Sequence, residues 1–192
     1  MYNSIASRYF GSRPRVSSSI ALARSFSGRV PQTSATFWTA LGSTWPAFYR
    51  ANLGLAYAKA LSNRRIYEEV VDVLDCVKPE QVVDPASFLF HRAVAEHALM
   101  KSREANTSIM RLLDDVSDAP ERYKMVAALM VFDMMAWKDK DLGSIARKMD
   151  NIERRLDLSR GGPKTQKLQK EVIARLDELI KEKENQQSGC GS

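Results

Sequence analysis

From Phe48 onward apolar residues recur at spacings of three and four, and Leu53, Ala56, Tyr57, Ala60 and Leu61 form a stripe that predicts an amphipathic helix. A second helix is expected from about Tyr67, carrying Val70, Val71, Val73, Leu74 and Val77. It stops near Lys78-Pro79, because proline has no N–H to continue the ladder. Asp84-Pro85 reads as an N-cap followed by proline in the first helical position, opening a helix through Phe88, Leu89, Ala93, Ala95 and Ala98. Its partner, from about Arg103 to Val116, shows Ala105, Ile109, Leu112 and Leu113 and ends before Ser117-Asp118-Ala119-Pro120. Two helix pairs are therefore expected, at about 48–78 and 85–117.

The pattern changes after Pro120. Between Met125 and Trp137 there is one charge, Asp133, among Met, Val, Ala, Leu, Phe and Trp. Such a helix is expected to be buried on nearly every side, as a central helix at 120–137 on which the other helices pack. It is also shorter than the roughly 20 apolar residues that a bilayer demands. In the next stretch, Leu142, Ile145, Met149, Ile152 and Leu156 alternate spacings of three and four, the seam of a coiled-coil-like contact. That seam leaves Arg147, Lys148, Glu153, Arg154 and Arg155 facing outward. Ser159-Arg160-Gly161-Gly162-Pro163 ends the helix, with glycine expected in the left-handed cap and Pro163 opening the next. The last helix carries Leu168, Val172, Leu176, Leu179 and Ile180, which completes a hairpin over 141–185, and 186–192 reads as a flexible Gly/Ser tail.

Sliding the first pair along the chain by 35 residues superposes Leu53 on Phe88, Ala58 on Ala93, Val70 on Ala105, Leu74 on Ile109 and Val77 on Leu112. This is an internal repeat. A two-helix unit of this period resembles the tetratricopeptide family, with Ala58, Ala93 and Ala105 at its small-residue positions and Tyr67-Glu68-Glu69 at the start of its second helix. Val70 is bulkier than the family's residue there, and the usual Trp, Gly and Pro marks are mostly missing. The resemblance covers about residues 50–118. The body also looks like a group of uncharacterised bacterial repeat proteins, a likeness that implies no activity. Together these readings give an all-α fold: a short tetratricopeptide-like antiparallel helix-pair solenoid capped by a C-terminal helical hairpin, one domain at 48–185.

Charge alters the picture at the N-terminus. The chain of 192 residues has a formal net charge of +6. Residues 1–50 hold Arg8, Arg13, Arg15, Arg24, Arg29 and Arg50 and no acid, while the first acidic residue is Glu68. The remainder is balanced, so nucleic-acid binding would rest on the leader arginines alone and is not expected. The Ser/Arg-rich leader, 1–47, matches a mitochondrial transit peptide in composition, and Arg24-Ser25-Phe26-Ser27 resembles a processing site with the mature terminus at Ser27. A disordered tail, or sequence upstream of a wrongly chosen start codon, accounts for the same composition; those assignments would leave the protein exported or cytoplasmic.

Candidate chemistry is sparse. His91 and His97 lie six residues apart, which points their rings to nearly opposite helix faces, so no metal is expected. Asp139-Lys140-Asp141-Leu142-Gly143 places glycine one position early for a calcium loop and reads better as a helix N-cap. Cys76 is expected to be a small buried hydrophobe and Cys190 a plain tail thiol. Asp133 on its apolar helix would have a raised pKa unless paired, with Arg147 the expected partner. Met125, Met130, Met134 and Met135 suit either core filling or an adaptable binding surface. No phosphate loop, nucleophile elbow or cofactor motif is present.

The expected function is therefore a nonenzymatic scaffold that binds a protein or peptide partner. The tetratricopeptide resemblance implies a concave groove lined by the first helix of each pair: Asn52, Leu55, Lys59 and Asn63, then Ser87, Phe90, Val94 and His97. Some members of that family clamp a carboxylate with lysine where this chain has Leu55, so the same clamp is not expected. Two alternatives remain, homo-oligomerisation through the hairpin and an enzyme using Asp133.

Overall fold

The computed structural model describes residues 37–39, 45–138 and 141–188; the Asp139-Lys140 motif, the leader before Phe37 and Cys190 lie outside the described residues. The chain divides into two units, Met1–Arg50 and Ala51–Ser192. In the first, Phe37 and Trp38 meet edge to face with ring centroids 5.0 Å apart, and the Arg50 guanidinium lies over Trp38.

The described residues are helical, with no strand among them. The helices are α1 (Ala47–Asn63), α2 (Tyr67–Asp75), α3 (Pro85–Ala98), α4 (Ser102–Asp114), α5 (Glu121–Met135), α6 (Leu142–Asp157) and α7 (Pro163–Ser188), with a 3-10 turn at Pro79–Gln81. α3 packs against α2 and α4, α5 lies on α3 and α4, and α6 pairs with α7.

Of the five pairs that the 35-residue shift superposes, four are buried in both units, while Leu53 is half-buried and Phe88 fully buried. Ala58, Ala93, Val70, Ala105, Leu74 and Ile109 are all fully buried. The turns match as well. Arg65 donates its N–H to Ser62 and Ile66 to Leu61; 35 residues on, Met100 donates to His97 and Lys101 to Glu96. Arg65 and Met100 both take φ of 60°, so each unit turns through a left-handed residue that closes the helix C-terminus. The same turn ends α6 at Ser159, φ 57°, so serine and not the expected glycine fills the left-handed position. Asp84 caps α3 by accepting from the Ser87 N–H at 2.9 Å, and Asp141 caps α6 by accepting from the Ser144 N–H at 2.6 Å.

Within the hairpin, Ile145, Ile152 and Val172 form a core with Leu168, Leu176 and Leu179 against it. The expected seam is half right: Leu142, Met149 and Leu156 point to solvent. The reason lies on the other flank of α6, where Arg154 and Arg155, expected outside, are 4 % and 7 % exposed. Arg154 embraces the Glu68 carboxylate with two hydrogen bonds of 2.9 Å, and Arg155 reaches the same carboxylate while donating to Thr165 at 2.8 Å. Arg160 binds Glu69 through two hydrogen bonds of 2.9 and 2.6 Å. Burial on its own would raise the Glu68 pKa, but the Arg154 hydrogen bonds and charge, the backbone at the start of α2 and Arg155 outweigh it and hold the carboxyl at about 2. α6 also reaches the inner turns of both units: Asn151 donates to the carbonyl of Ala98, the last residue of α3, at 3.1 Å and Arg154 to the carbonyl of Arg65, in the turn after α1, at 2.8 Å.

Cys76, expected inside, is exposed. It is the residue after the last turn of α2, and its thiol meets the Asp72 carbonyl at 3.5 Å.

Candidate interaction site

The eight residues assigned to the groove divide into two sets. On α1, the Asn52 carbonyl oxygen accepts from the Val83 N–H at 2.9 Å and Lys59 pairs with Asp84 at 3.3 Å, so both fasten the loop before α3. Burial tends to raise the Asp84 pKa, but hydrogen bonds from Ser87 and Lys59 bring it below the ordinary carboxylate value. Leu55 is buried and Asn63 exposed.

On α3, the buried Ser87 hydroxyl bonds the Tyr123 hydroxyl at 3.1 Å, and Phe90 stacks on the Tyr123 ring at 4.1 Å. His97 meets Asp133 at 2.9 Å, and Val94 is half-buried. Ser87, Phe90 and His97 thus hold α5 of the same chain. Leu55 and Ser87 have almost no surface to present to a second molecule.

Asp133 departs from expectation in both burial and partner. It is exposed, and one carboxylate oxygen accepts from the Trp137 indole at 3.0 Å as well as meeting His97. Arg147 instead lies over the Trp137 ring, 4.9 Å from its centroid. These groups border a cavity of about 360 Å³ that also reaches Tyr67, Asn151 and Arg154. A histidine held by a carboxylate is one half of a proton-transfer device. No serine, threonine or cysteine lines the cavity to supply a nucleophile. His91 is a separate case: burial and then the Lys59 charge lower its pKa, and its Nδ1 lies 3.2 Å from the Ser62 hydroxyl. Among the described residues no group of three His, Cys, Asp or Glu side chains is placed to hold a metal ion.

The larger surface lies on the outside of α5. Its inner line runs Tyr123, Ala127, Met130 and Met134, spaced by four, three and four, and fits against α3 and α4. Turned away from it are Met125, Leu129, Phe132 and Met135, exposed at 67, 65, 68 and 75 %, with Val126 beside them. The helix expected to be buried all round is therefore buried on one side only. Glu121 and Arg122 stand at its N-terminal end and Asp133 at one edge, leaving the middle of the face free of charge. An apolar surface of this kind on a folded chain is a candidate interaction face. The methionines allowed a binding surface, and Met125 and Met135 lie on this face, but an apolar period cannot say which of two apolar sides meets the protein. One usable signal was Tyr123 with Ala127, a ring with a polar tip and a small residue that permits close approach.

No helix among the described residues is long and apolar enough to cross a membrane. No protein-family model matches the chain, and neither a curated protein nor a solved structure matches it.

Proposed function

We propose that this protein is a nonenzymatic interaction scaffold whose α5 binds an amphipathic helix of a partner protein. The observation that carries the reading is the exposure of Met125, Leu129, Phe132 and Met135 on a helix whose opposite side is well packed. Spacings of four, three and three set these side chains along about three turns, the arrangement that receives the i, i+3/i+4, i+7 anchors of a second helix. Two of the four are methionines, whose flexible thioethers adapt to differently shaped anchors. The tetratricopeptide-like solenoid belongs to the same proposal: the second helix pair, α3–α4, backs α5, so the free face is presented already formed.

The test is a fluorescence-anisotropy titration with a panel of helical peptides that share an apolar stripe and differ in charge. Binding is expected, and Phe132→Glu should weaken it at least about tenfold while leaving the thermal transition unchanged, since that ring is mostly in water. Equal binding by the variant would overturn the reading. So would a chain that binds no peptide and instead runs as a dimer dissolved by Phe132→Glu, because the face would then be the seat of a second copy.

A further inference from the structure

The hairpin carries a second apolar surface of different character. Leu142, Met149 and Leu156 are spaced by seven along α6 and Ile173 and Ile180 by seven along α7; each is at least 48 % exposed. The helices run antiparallel around the Ile145, Ile152 and Val172 core, so Ile180 stands toward the Leu142 end and Ile173 toward the Leu156 end. A strict seven-residue repeat on both helices is the pattern of a coiled-coil seam awaiting another helix. Between them lies a groove of about 700 Å³ lined by Met149, Ile152, Leu156, Val172 and Ile173. Its wall is not neutral. The charged groups that line it are Glu153 and Asp157, joined by Gln169, with no basic side chain in the lining.

The cations of this part of α6 are engaged elsewhere: Arg154 and Arg155 bind Glu68, Arg160 binds Glu69, and Lys148 pairs with Glu171. Lys170 lies one turn from Ile173 on α7 but does not line the groove. A second copy of this chain would bring the same carboxylates to the seam without a lysine or arginine in the wall to receive them. From this charge pattern we infer that the hairpin groove is a docking site for a basic amphipathic helix of a partner protein, with apolar side chains at heptad spacing and Lys or Arg beside them. Leu142 to Leu156 spans about 21 Å of helix, which fits a partner segment of roughly 14 residues. The inference extends the scaffold reading to a second face and stands on different residues.

The test uses the full chain and two synthetic helices of that length, both with leucines at heptad positions, one flanked by lysines and the other by glutamates. The lysine peptide should bind at least about tenfold more tightly than the glutamate peptide, with the advantage shrinking as salt is added. Glu153→Lys with Asp157→Lys should invert the preference, and Met149→Glu, at a half-exposed position, should remove lysine-peptide binding without lowering the thermal midpoint. Phe132→Glu should leave that binding intact, which separates this site from the α5 face. Equal affinity for both peptides would overturn the inference. So would loss of lysine-peptide binding in Phe132→Glu but not in Met149→Glu, an outcome that leaves the α5 reading standing. A dimer that Met149→Glu dissolves, with neither peptide bound, would assign the groove to a second copy.

Discussion

The two 35-residue units share the turn that closes their first helix and a set of buried positions, but α2 is shorter than α4 and the residues at those positions differ. In the first, Leu61 on α1 and Val73 on α2 are fully buried. Their counterparts in the second are Glu96 and Ser108, equally enclosed, with the serine hydroxyl donating to the carboxylate at 2.6 Å and Arg92 donating to its other oxygen at 2.9 Å. At this place the first unit is filled by apolar side chains and the second by a satisfied polar network. A second pair of positions decides what lies outside. Glu68, which receives Arg154 and Arg155, corresponds to Arg103, so a hairpin presenting arginines has a partly buried counterion on the first unit and a like charge on the second. Repetition sets the frame, and the unlike residues choose where the hairpin docks.

Writing the second unit's acid into the first should have the largest effect. Leu61→Glu places a carboxylate at a sealed site with no arginine or serine arranged around it, and urea denaturation should show a loss of about 4 kcal/mol or more. Glu68→Gln, which leaves Arg154 and Arg155 half-paired, should cost about 3 kcal/mol at neutral pH. The Glu68 carboxyl, held at about 2 against an ordinary 4.5, contributes stability that is complete above pH 4.5 and is lost as the pH falls toward 2. The wild type should therefore lose stability across that window more steeply than Glu68→Gln, as followed by denaturation at a series of pH values.

Glu96→Leu removes the acceptor that satisfies Ser108 and Arg92 and should cost about 2 kcal/mol. Adding Ser108→Val, which copies the first unit's apolar pair, should bring stability to within about 1 kcal/mol of wild type, and the double-mutant cycle reads the coupling directly. The smallest effect should come from the turns. Met100→Gly relieves the steric cost of a left-handed side chain and should raise stability by about 0.5 kcal/mol after the glycine's extra freedom in the unfolded chain is subtracted. A loss there would mean that the Met100 side chain contributes packing which the backbone conformation does not reveal.

The same contrast explains what was readable in the sequence. The all-α fold and the 35-residue shift were legible because they depend on apolar spacing and on caps such as Asp84-Pro85, which act within a few residues. The inward turn of Arg154 and Arg155 was not, because their outward assignment came from charge and the partner that overrides it, Glu68, lies 86 and 87 residues away. Asp133 failed for a related reason. Its helix is apolar on two sides, and only the packing of Tyr123 against Ser87 and Phe90 shows which side is covered. Of the groove residues, Ser87, Phe90 and His97 share a face of α3, and that face holds α5. Both candidate docking surfaces include residues that the sequence assigned to the interior: Leu129 and Phe132 on α5, and Leu142, Met149 and Leu156 on α6.

The hydrogen bonds from Asn151 to the Ala98 carbonyl and from Arg154 to the Arg65 carbonyl tie the inner turns of two successive repeats to one helix. Lifting α6 bares both turns together, so the closing turns of α1 and α3 and the middle of α6 belong to a single cooperative opening unit. In native-state hydrogen exchange their amides should share one opening free energy and one dependence on acid, although no chain segment shorter than fifty residues connects α3 to Asn151. A ligand that pins the hairpin would then slow exchange at the turns between the helices of both repeats, a long-range signal carried by two side chains.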